Sequence, residues 1–386
     1  MHSGDPVLIE LISESIRAKG PVSFAWFMEQ ALYHPRHGYY SSGRCAIGRA
    51  GDYFTNVSVG PLFGQILAAQ FVEMWDALER PGDFTIVEQG AHQGEFAADV
   101  LAAMEKKSPE LFSTLRYRIV EPFPVLRERQ SRALSSFKAK VEWRDSLENL
   151  EPFTGVHFSN ELFDALPVHL LVAEGGKSDF WQEKRVDMRD GAFVFVQQSV
   201  TDPLLRSRLP LLPSRPAGYT TEVNLAALDL IEGISRRLER GLVLAVDYGY
   251  PREEYYTASR TEGTLQCRMQ HRVLSSPFNE IGHADITSHV DWTSVAERAV
   301  DCGLAVVGFT DQHHFITGVI TNLLDDEFDG NADPKKRRAL QTLLHPELLG
   351  ASFQFLAFSK NMDNSPPLSG FRLASDPCAR LGLNPL

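Results

Sequence analysis

The chain predicts an α/β fold, with a parallel sheet covered on both faces, a helical N-terminal region and a small inserted β subdomain. Three observations carry this. From Phe84 onward, short apolar segments alternate with amphipathic ones, the pattern of strands spaced by helices. Before that point Leu62, Phe63, Ile66, Leu67, Phe71, Met74, Trp75 and Leu78 recur at helical spacing. Between Leu170 and Pro210 the period shortens to that of strands.

In chain order, Val7 to Ala18 is an amphipathic helix that Lys19-Gly20-Pro21 terminates, and Phe24 to Leu32 is a second that ends before His34-Pro35. A glycine-rich loop, Gly38 to Gly60, precedes the helix beginning at Leu62. Thr85–Gln89, Tyr117–Val120, Val141–Trp143 and Val156–Ser159 read as strands, with a helix over Glu95–Lys106 and another opened by Pro124 at a first helical position. A long helix is expected over Glu222–Arg240, followed by the apolar strand Leu242–Val246. Phe180–Val186 and Phe193–Val200 belong to the β insertion, and Ala305–Phe309 with Phe353–Phe358 close the sheet. The expected organisation is a helical region over 1–80 packing on the core and an α/β domain over 81–360. That domain has an insertion at about 170–215 and a substrate-side excursion at about 250–290, and a loosely held tail follows over 361–386.

With 386 residues, 43% of them hydrophobic, the chain can bury a full-sized core. Its net charge of -12 argues against a nucleic-acid partner, which needs a basic footprint, and suits a basic protein substrate. Cys45, Cys267, Cys302 and Cys378 are far apart and form no CxxC pair, so reduced thiols are expected. No apolar run reaches the roughly 20 residues of a membrane span. The first residues resemble neither a signal nor a transit peptide, so the expected location is cytoplasmic.

Two strand ends carry candidate chemistry. Glu88-Gln89-Gly90-Ala91-His92-Gln93-Gly94-Glu95 follows a strand and opens a helix, where glycines and free helix amides admit a nucleotide-like ligand. Glu121, ending the next strand, is placed to accept two ribose hydroxyls. An ordinary strand-to-helix connection with a solvated acid is the alternative. Ser159-Asn160-Glu161-Leu162-Phe163-Asp164-Ala165 begins where the fourth strand ends; Glu161 and Asp164, three apart, would share the face of a helical turn and suit a guanidinium. An Asn cap beside a solvated acid is the plainer account. His271, His283, Asp285, Thr287, His289 and Asp291 form a dense polar segment whose spacing fits no standard zinc pattern. It reads as a loop at a substrate mouth, with Asp285 or Thr287 as a helix cap and a metal-dependent hydrolase as the remote alternative. His313 and His314, adjacent, and the run Lys335-Lys336-Arg337-Arg338 read as ordinary surface.

Separated blocks in one order resemble the MidA-type methyltransferase family: ALYHPRHGYY (31–40), GRAGDYFT (48–55), NELFDALPV (160–168), DYG (247–249), Gly263–Leu265 with His271, ADITSHVDW (284–292) and Pro346–Lys360. The resemblance spans about Leu11 to Lys360. It implies a class I, Rossmann-like methyltransferase fold and S-adenosylmethionine as cofactor. For mitochondrial members, which are complex I assembly factors, it also implies symmetric dimethylation of an arginine on a complex I subunit. On this basis Glu88, Gly90, His92, Gly94, Glu121, Asp52 and Thr55 would bind the cofactor, and Glu161, Asp164 and Asn160 would be catalytic. His271, Asp285, His289 and Asp247 would lie on the substrate side, with no metal site. Two blocks depart from the family. His92 stands where the E-x-G-P-G-x-G turn has its central glycine, and Asn56-Val57 stands where Pro-Glu follows the threonine. The departures leave a second reading open, a methyltransferase-fold binding protein or assembly factor without turnover.

Overall fold

A computed structural model of the chain describes residues 3–44, 55–175, 181–322, 333–362 and 368–383. The chain divides into two compact units. One contains 55–162, 230–251 and 292–386; the other contains 1–54, 163–229 and 252–291. The cuts therefore differ from those expected at 80 and 360. The N-terminal helices group with the β insertion and the 252–291 excursion, because together they bury one apolar cluster that no one of these segments could fill.

The first unit holds the α/β sheet. Its strands are β1 (Thr85–Gln89), β2 (Arg116–Val120), β3 (Val141–Arg144), β4 (Phe153–Asn160), β5 (Leu238–Tyr250), β6 (Ala305–Asp311) and β7 (Phe353–Lys360). They run in the order β6-β7-β5-β4-β1-β2-β3. From β5 to β3 every pairing is parallel. The sheet is not parallel throughout, because β7 is antiparallel to both β5 and β6. The closing pair thus forms as expected but with a reversed last strand. Helices α1 (Leu62–Ala77), α2 (Glu95–Lys107) and α3 (Pro124–Ala133) belong to the same unit. Phe96 of α2 stacks on Phe158 of β4 at 4.5 Å, and Phe71 of α1 meets Phe158 edge-on at 5.6 Å. Burying each such ring contributes about 1.5–3 kcal/mol, which outweighs the helix propensity of these segments as the force docking them.

In the second unit Val22–Ser23, Trp181–Arg189, His169–Ala173 and Thr220–Val223 form an antiparallel sheet, with Ala192–Ser199 added to Trp181–Arg189. Phe180, expected to start the second of these strands, lies outside the described residues. Helices Pro6–Lys19 and Phe24–Tyr33 supply Leu8, Ile12, Phe24, Phe27 and Met28 to a core shared with Phe193, Phe278 and Ile286.

Two expectations are corrected here. The segment read as a helix over Glu222–Arg240 is a strand to Val223, a helix over Leu225–Arg237 and then the start of β5. Thr220, Thr221 and Val223 are β-branched and favour the strand, while the Asn224 side chain accepts the Ala227 N–H at 2.9 Å and so caps the helix. The tail is also anchored. Gly370 N–H donates to Gln70, Ser369 N–H donates to Glu73, the Thr293 hydroxyl donates to the Leu381 carbonyl, and Phe371 packs edge-on against Phe315 at 5.2 Å. Truncating Phe371, which is 8% exposed, to alanine should therefore cost about 3 kcal/mol in urea unfolding, whereas a free tail would show no change.

Candidate functional site

Strand register builds the site. Gln89 of β1 is opposite Val120 of β2 and Ser159 of β4, and Asn160 of β4 is opposite Val246 of β5. One residue further along, Glu121, Gly90 and Asn160 fall in line with Val246, and Asp247 follows Val246 on β5, all at the carboxyl edge where open α/β sheets keep their ligands.

At this edge the backbone takes left-handed conformations. Gly90, His92 and Gly94 have φ of 82, 43 and 83°, and Glu161 has φ of 54°. Gly90 is exposed, and a Cβ there would sit 3.4 Å from Leu162 Cδ1, so its missing side chain leaves a hollow over the strand end. A Cβ at Gly94 would come within 3.2 Å of Gln130 Cα, so glycine also lets α3 press against the turn.

Glu121 is 4% exposed. One of its oxygens accepts the Phe123 N–H at 3.0 Å and the other accepts Gln130 Nε2 at 2.9 Å. Burial pushes its carboxyl up to about 7; the Phe123 amide, Gln130 and the Arg127 charge pull it back down. Each oxygen retains acceptor capacity, as a cis-diol requires. An adenosine-bearing cofactor fits this set: a glycine hollow that a Cβ would fill, beside a buried acid with acceptor capacity to spare.

Asn160 accepts from Asn56 Nδ2 at 3.2 Å and donates to Glu161 Oε1 at 3.0 Å. The Glu161 N–H donates to the Val246 carbonyl. Residues after Asn160 form a bend and a turn rather than a helical turn, so Glu161 and Asp164 do not share a helix face. The left-handed backbone at Glu161 breaks the helical path, and Asp164 falls in the other unit.

Several expected site residues are engaged inside the fold instead. Asp247 is fully buried, and its carboxylate accepts the N–H groups of Leu162 at 3.0 Å and Tyr248 at 2.8 Å; it fixes the turn after β4 and does not present itself to a substrate. Glu88 is buried under the Tyr117 hydroxyl, 2.7 Å from Oε2, and burial raises its carboxyl to about 7. Thr55 is buried and engages the Ser58 hydroxyl at 3.1 Å, closing a turn. Asp52 lies outside the described residues.

In the other unit, His271 is exposed at the tip of a hairpin between Gln266–Met269 and Arg272–Val273. Gln270 and His271 both have positive φ, which a two-residue turn of this twist demands, so the hairpin accounts for His271. Asp285 and Thr287 lie in a strand and cap no helix; Asp285 accepts the Tyr40 hydroxyl at 2.7 Å. Burial drives the His289 imidazole down to about 4, leaving it neutral. Among the described residues no group of three or more His, Cys, Asp or Glu could hold a metal ion.

Three residues emerge that motif reading missed. Glu222 is buried, and its carboxylate accepts the N–H groups of Thr264 and Leu265 and the hydroxyls of Thr264 and Tyr255. Gly263 makes room for it, since a Cβ there would lie 2.2 Å from Glu222 Oε1. Asn56 and Gln130 are both fully buried beside the edge. The signal for Gln130 was a glutamine in the apolar stripe Leu126-Gln130-Leu134, four residues from each neighbour.

Residues 66–310 match the family model described as "Putative S-adenosyl-L-methionine-dependent methyltransferase". The chain is 28% identical to the protein arginine methyltransferase NDUFAF7 homolog, mitochondrial, of Drosophila melanogaster, over 92% of this chain and 85% of that one. It is 27% identical to the Homo sapiens protein arginine methyltransferase NDUFAF7, mitochondrial, over 91% and 83%. A crystal structure from Burkholderia thailandensis bound to S-adenosyl-homocysteine superposes with a TM-score of 0.85 at 33% identity, over 96% of this chain and 95% of that one.

The raised Glu88 carboxyl makes a stability prediction. Its folded value of about 7 exceeds the ordinary 4.5, so the folded state holds its proton longer. The resulting stability is complete below about 4.5 and is lost as pH rises through about 7, a change of roughly 3 kcal/mol. Glu88→Gln keeps an acceptor for Tyr117 and should flatten that decline in chemical unfolding from about pH 4.5 to about 8. An unchanged slope would refute the assignment.

Proposed function

We propose that this chain, which belongs to the S-adenosyl-L-methionine-dependent methyltransferase family, methylates an arginine guanidinium on a protein substrate. The observation that carries the reading is the shared strand edge, where a glycine hollow, a buried acid with spare acceptors and the Asn160–Glu161 pair are adjacent by register. Arginine as the target draws on the relatives of similar length, which are named protein arginine methyltransferases. A respiratory complex I subunit is the partner that the MidA-type resemblance suggests.

When bound, S-adenosylmethionine supplies an electrophilic methyl group. Glu121 takes the ribose hydroxyls, and Gly90 lets the ligand reach the backbone. A guanidinium is fully protonated at neutral pH and a poor nucleophile. Glu161 would draw its charge toward one edge and receive N–H donors, so that electron density gathers on the attacking nitrogen, and would take the proton that nitrogen sheds as the methyl passes to it and S-adenosylhomocysteine is left. Asn160, donating to Glu161 Oε1, holds that carboxylate in one orientation. Holding the nitrogen in line contributes about 7–11 kcal/mol toward the barrier. The acidic chain, with a net charge of -12, favours a basic substrate segment.

Binding without turnover is the second reading, and the left-handed backbone at His92 is the observation behind it. One assay separates the two. With labelled methyl donor and a lysate of basic proteins, the enzyme should place label on arginine, read by mass spectrometry. Glu161→Gln should lower the rate about 100-fold or more while leaving S-adenosylhomocysteine affinity unchanged. Absence of label, or label confined to lysine, would overturn the arginine reading.

A further inference from the structure

Gln130 lies on α3, fully buried, and its side chain makes three hydrogen bonds. Nε2 donates to the His92 carbonyl at 2.9 Å and to Glu121 Oε2 at 2.9 Å, while Oε1 accepts from Trp143 Nε1 at 2.9 Å. The indole can only donate and the other two partners can only accept from this amide, so chemistry alone fixes which end of the amide faces which way. Turning the amide over would set oxygen against oxygen at both His92 and Glu121.

We propose that Gln130 is a positioning residue for the cofactor: its amide locks the middle of the glycine turn and the ribose acid into one unit, presenting Glu121 in a single orientation. The proposal rests on the reading of Glu121 as the ribose acid. Two features select an amide for this task. A neutral donor favours the ionised carboxylate without neutralising it, so the acceptor strength needed by a diol is retained; a lysine or arginine here would compete with the ligand for the same oxygens. The contact also requires the close approach of α3 to the turn that the missing Cβ of Gly94 allows.

The charged surroundings of Glu121 are few. Arg127 on α3 donates to the Glu121 carbonyl and pairs with Asp145. Arg144 of β3, whose carbonyl takes the Glu121 N–H, is engaged by Glu142 and Glu151. His92 belongs to the turn itself. Burial outweighs these and lifts Glu121 to about 7, so a lost donor moves it further up.

Calorimetric titration with S-adenosylhomocysteine between about pH 5 and about pH 9, together with thermal melts, tests this on the full chain and its variants. Wild-type affinity should fall as pH drops through about 7, as Glu121 takes up its proton. Gln130→Met should move that midpoint upward and weaken binding on the alkaline plateau about tenfold or more. Trp143→Phe, which keeps Gln130 but releases its orientation, should move the midpoint the same way by less, and it decides the matter if Gln130→Met fails to fold. Variants that melt earlier yet keep the wild-type midpoint and plateau would show Gln130 to be only a packing residue and overturn the proposal. Should Glu121→Gln bind as tightly as wild type, the ribose reading falls and this inference with it. If Glu121→Gln binds weakly while Gln130→Met and Trp143→Phe behave as wild type, this inference falls alone.

Discussion

Parallel strands that end side by side impose one constraint on everything else in the unit that holds the α/β sheet. Their last N–H and carbonyl groups have no further strand to pair with, and the chain must leave the edge sharply. Here it does so through left-handed residues, at Gly90, His92 and Gly94 after β1 and at Glu161 after β4. Such turns persist only where neighbours hold them. Asp247 takes the Leu162 and Tyr248 N–H groups, Val246 takes the Glu161 N–H, and Gln130 takes up the His92 carbonyl. Once these are fixed, strand register alone decides that Glu121, Gly90 and Asn160 are neighbours.

How much of this was legible in sequence follows from the range of the interaction involved. Periodicity exposed β1, β2, β4 and their helices because each strand is a run of apolar residues with its own signature. The glycine turn and Glu121 were legible for the same reason: each needs only its own strand end. Glu222 was read as helical because its true partners, Thr264, Leu265 and Tyr255, lie more than thirty residues away and nothing local marks a buried acid. Nothing local marks the tail as anchored, because Gln70, Glu73 and Phe315, which receive it, lie still further away in the chain. The DYG motif locates the Asp247 carboxylate without saying whether it faces a ligand or, as here, neighbouring amides.

The buried acids sort by how completely they are satisfied. Glu222 has two amides and two hydroxyls around its carboxylate, so both its oxygens are engaged and its task is to fasten the Thr264 segment. Glu88 has the single Tyr117 hydroxyl, too little to offset burial, and rises to about 7. Glu121 has an amide and a glutamine, and Arg127 nearby, yet rises to about 7 as well. Of the three, Glu121 is the one that Gln130 ties to the glycine turn. Incomplete satisfaction there is the condition for accepting a ligand hydroxyl, and it carries a cost in stability of the kind Glu88 also bears.

His92 tests whether a side chain at the centre of the turn must exclude a ligand. A left-handed non-glycine residue costs about 1–2 kcal/mol, and its carbonyl, if buried without a partner, would add about 1–3 kcal/mol. Gln130 removes the second penalty by bonding that carbonyl, leaving only the first, which lies within what a single well-placed hydrogen bond returns. The substitution is therefore tolerable on the backbone side. The glycine positions that matter most for approach are Gly90, where the hollow opens, and Gly94, where α3 closes in, and the chain keeps both. His92 thus takes the same left-handed backbone as the two glycines that flank it, and the turn keeps its path.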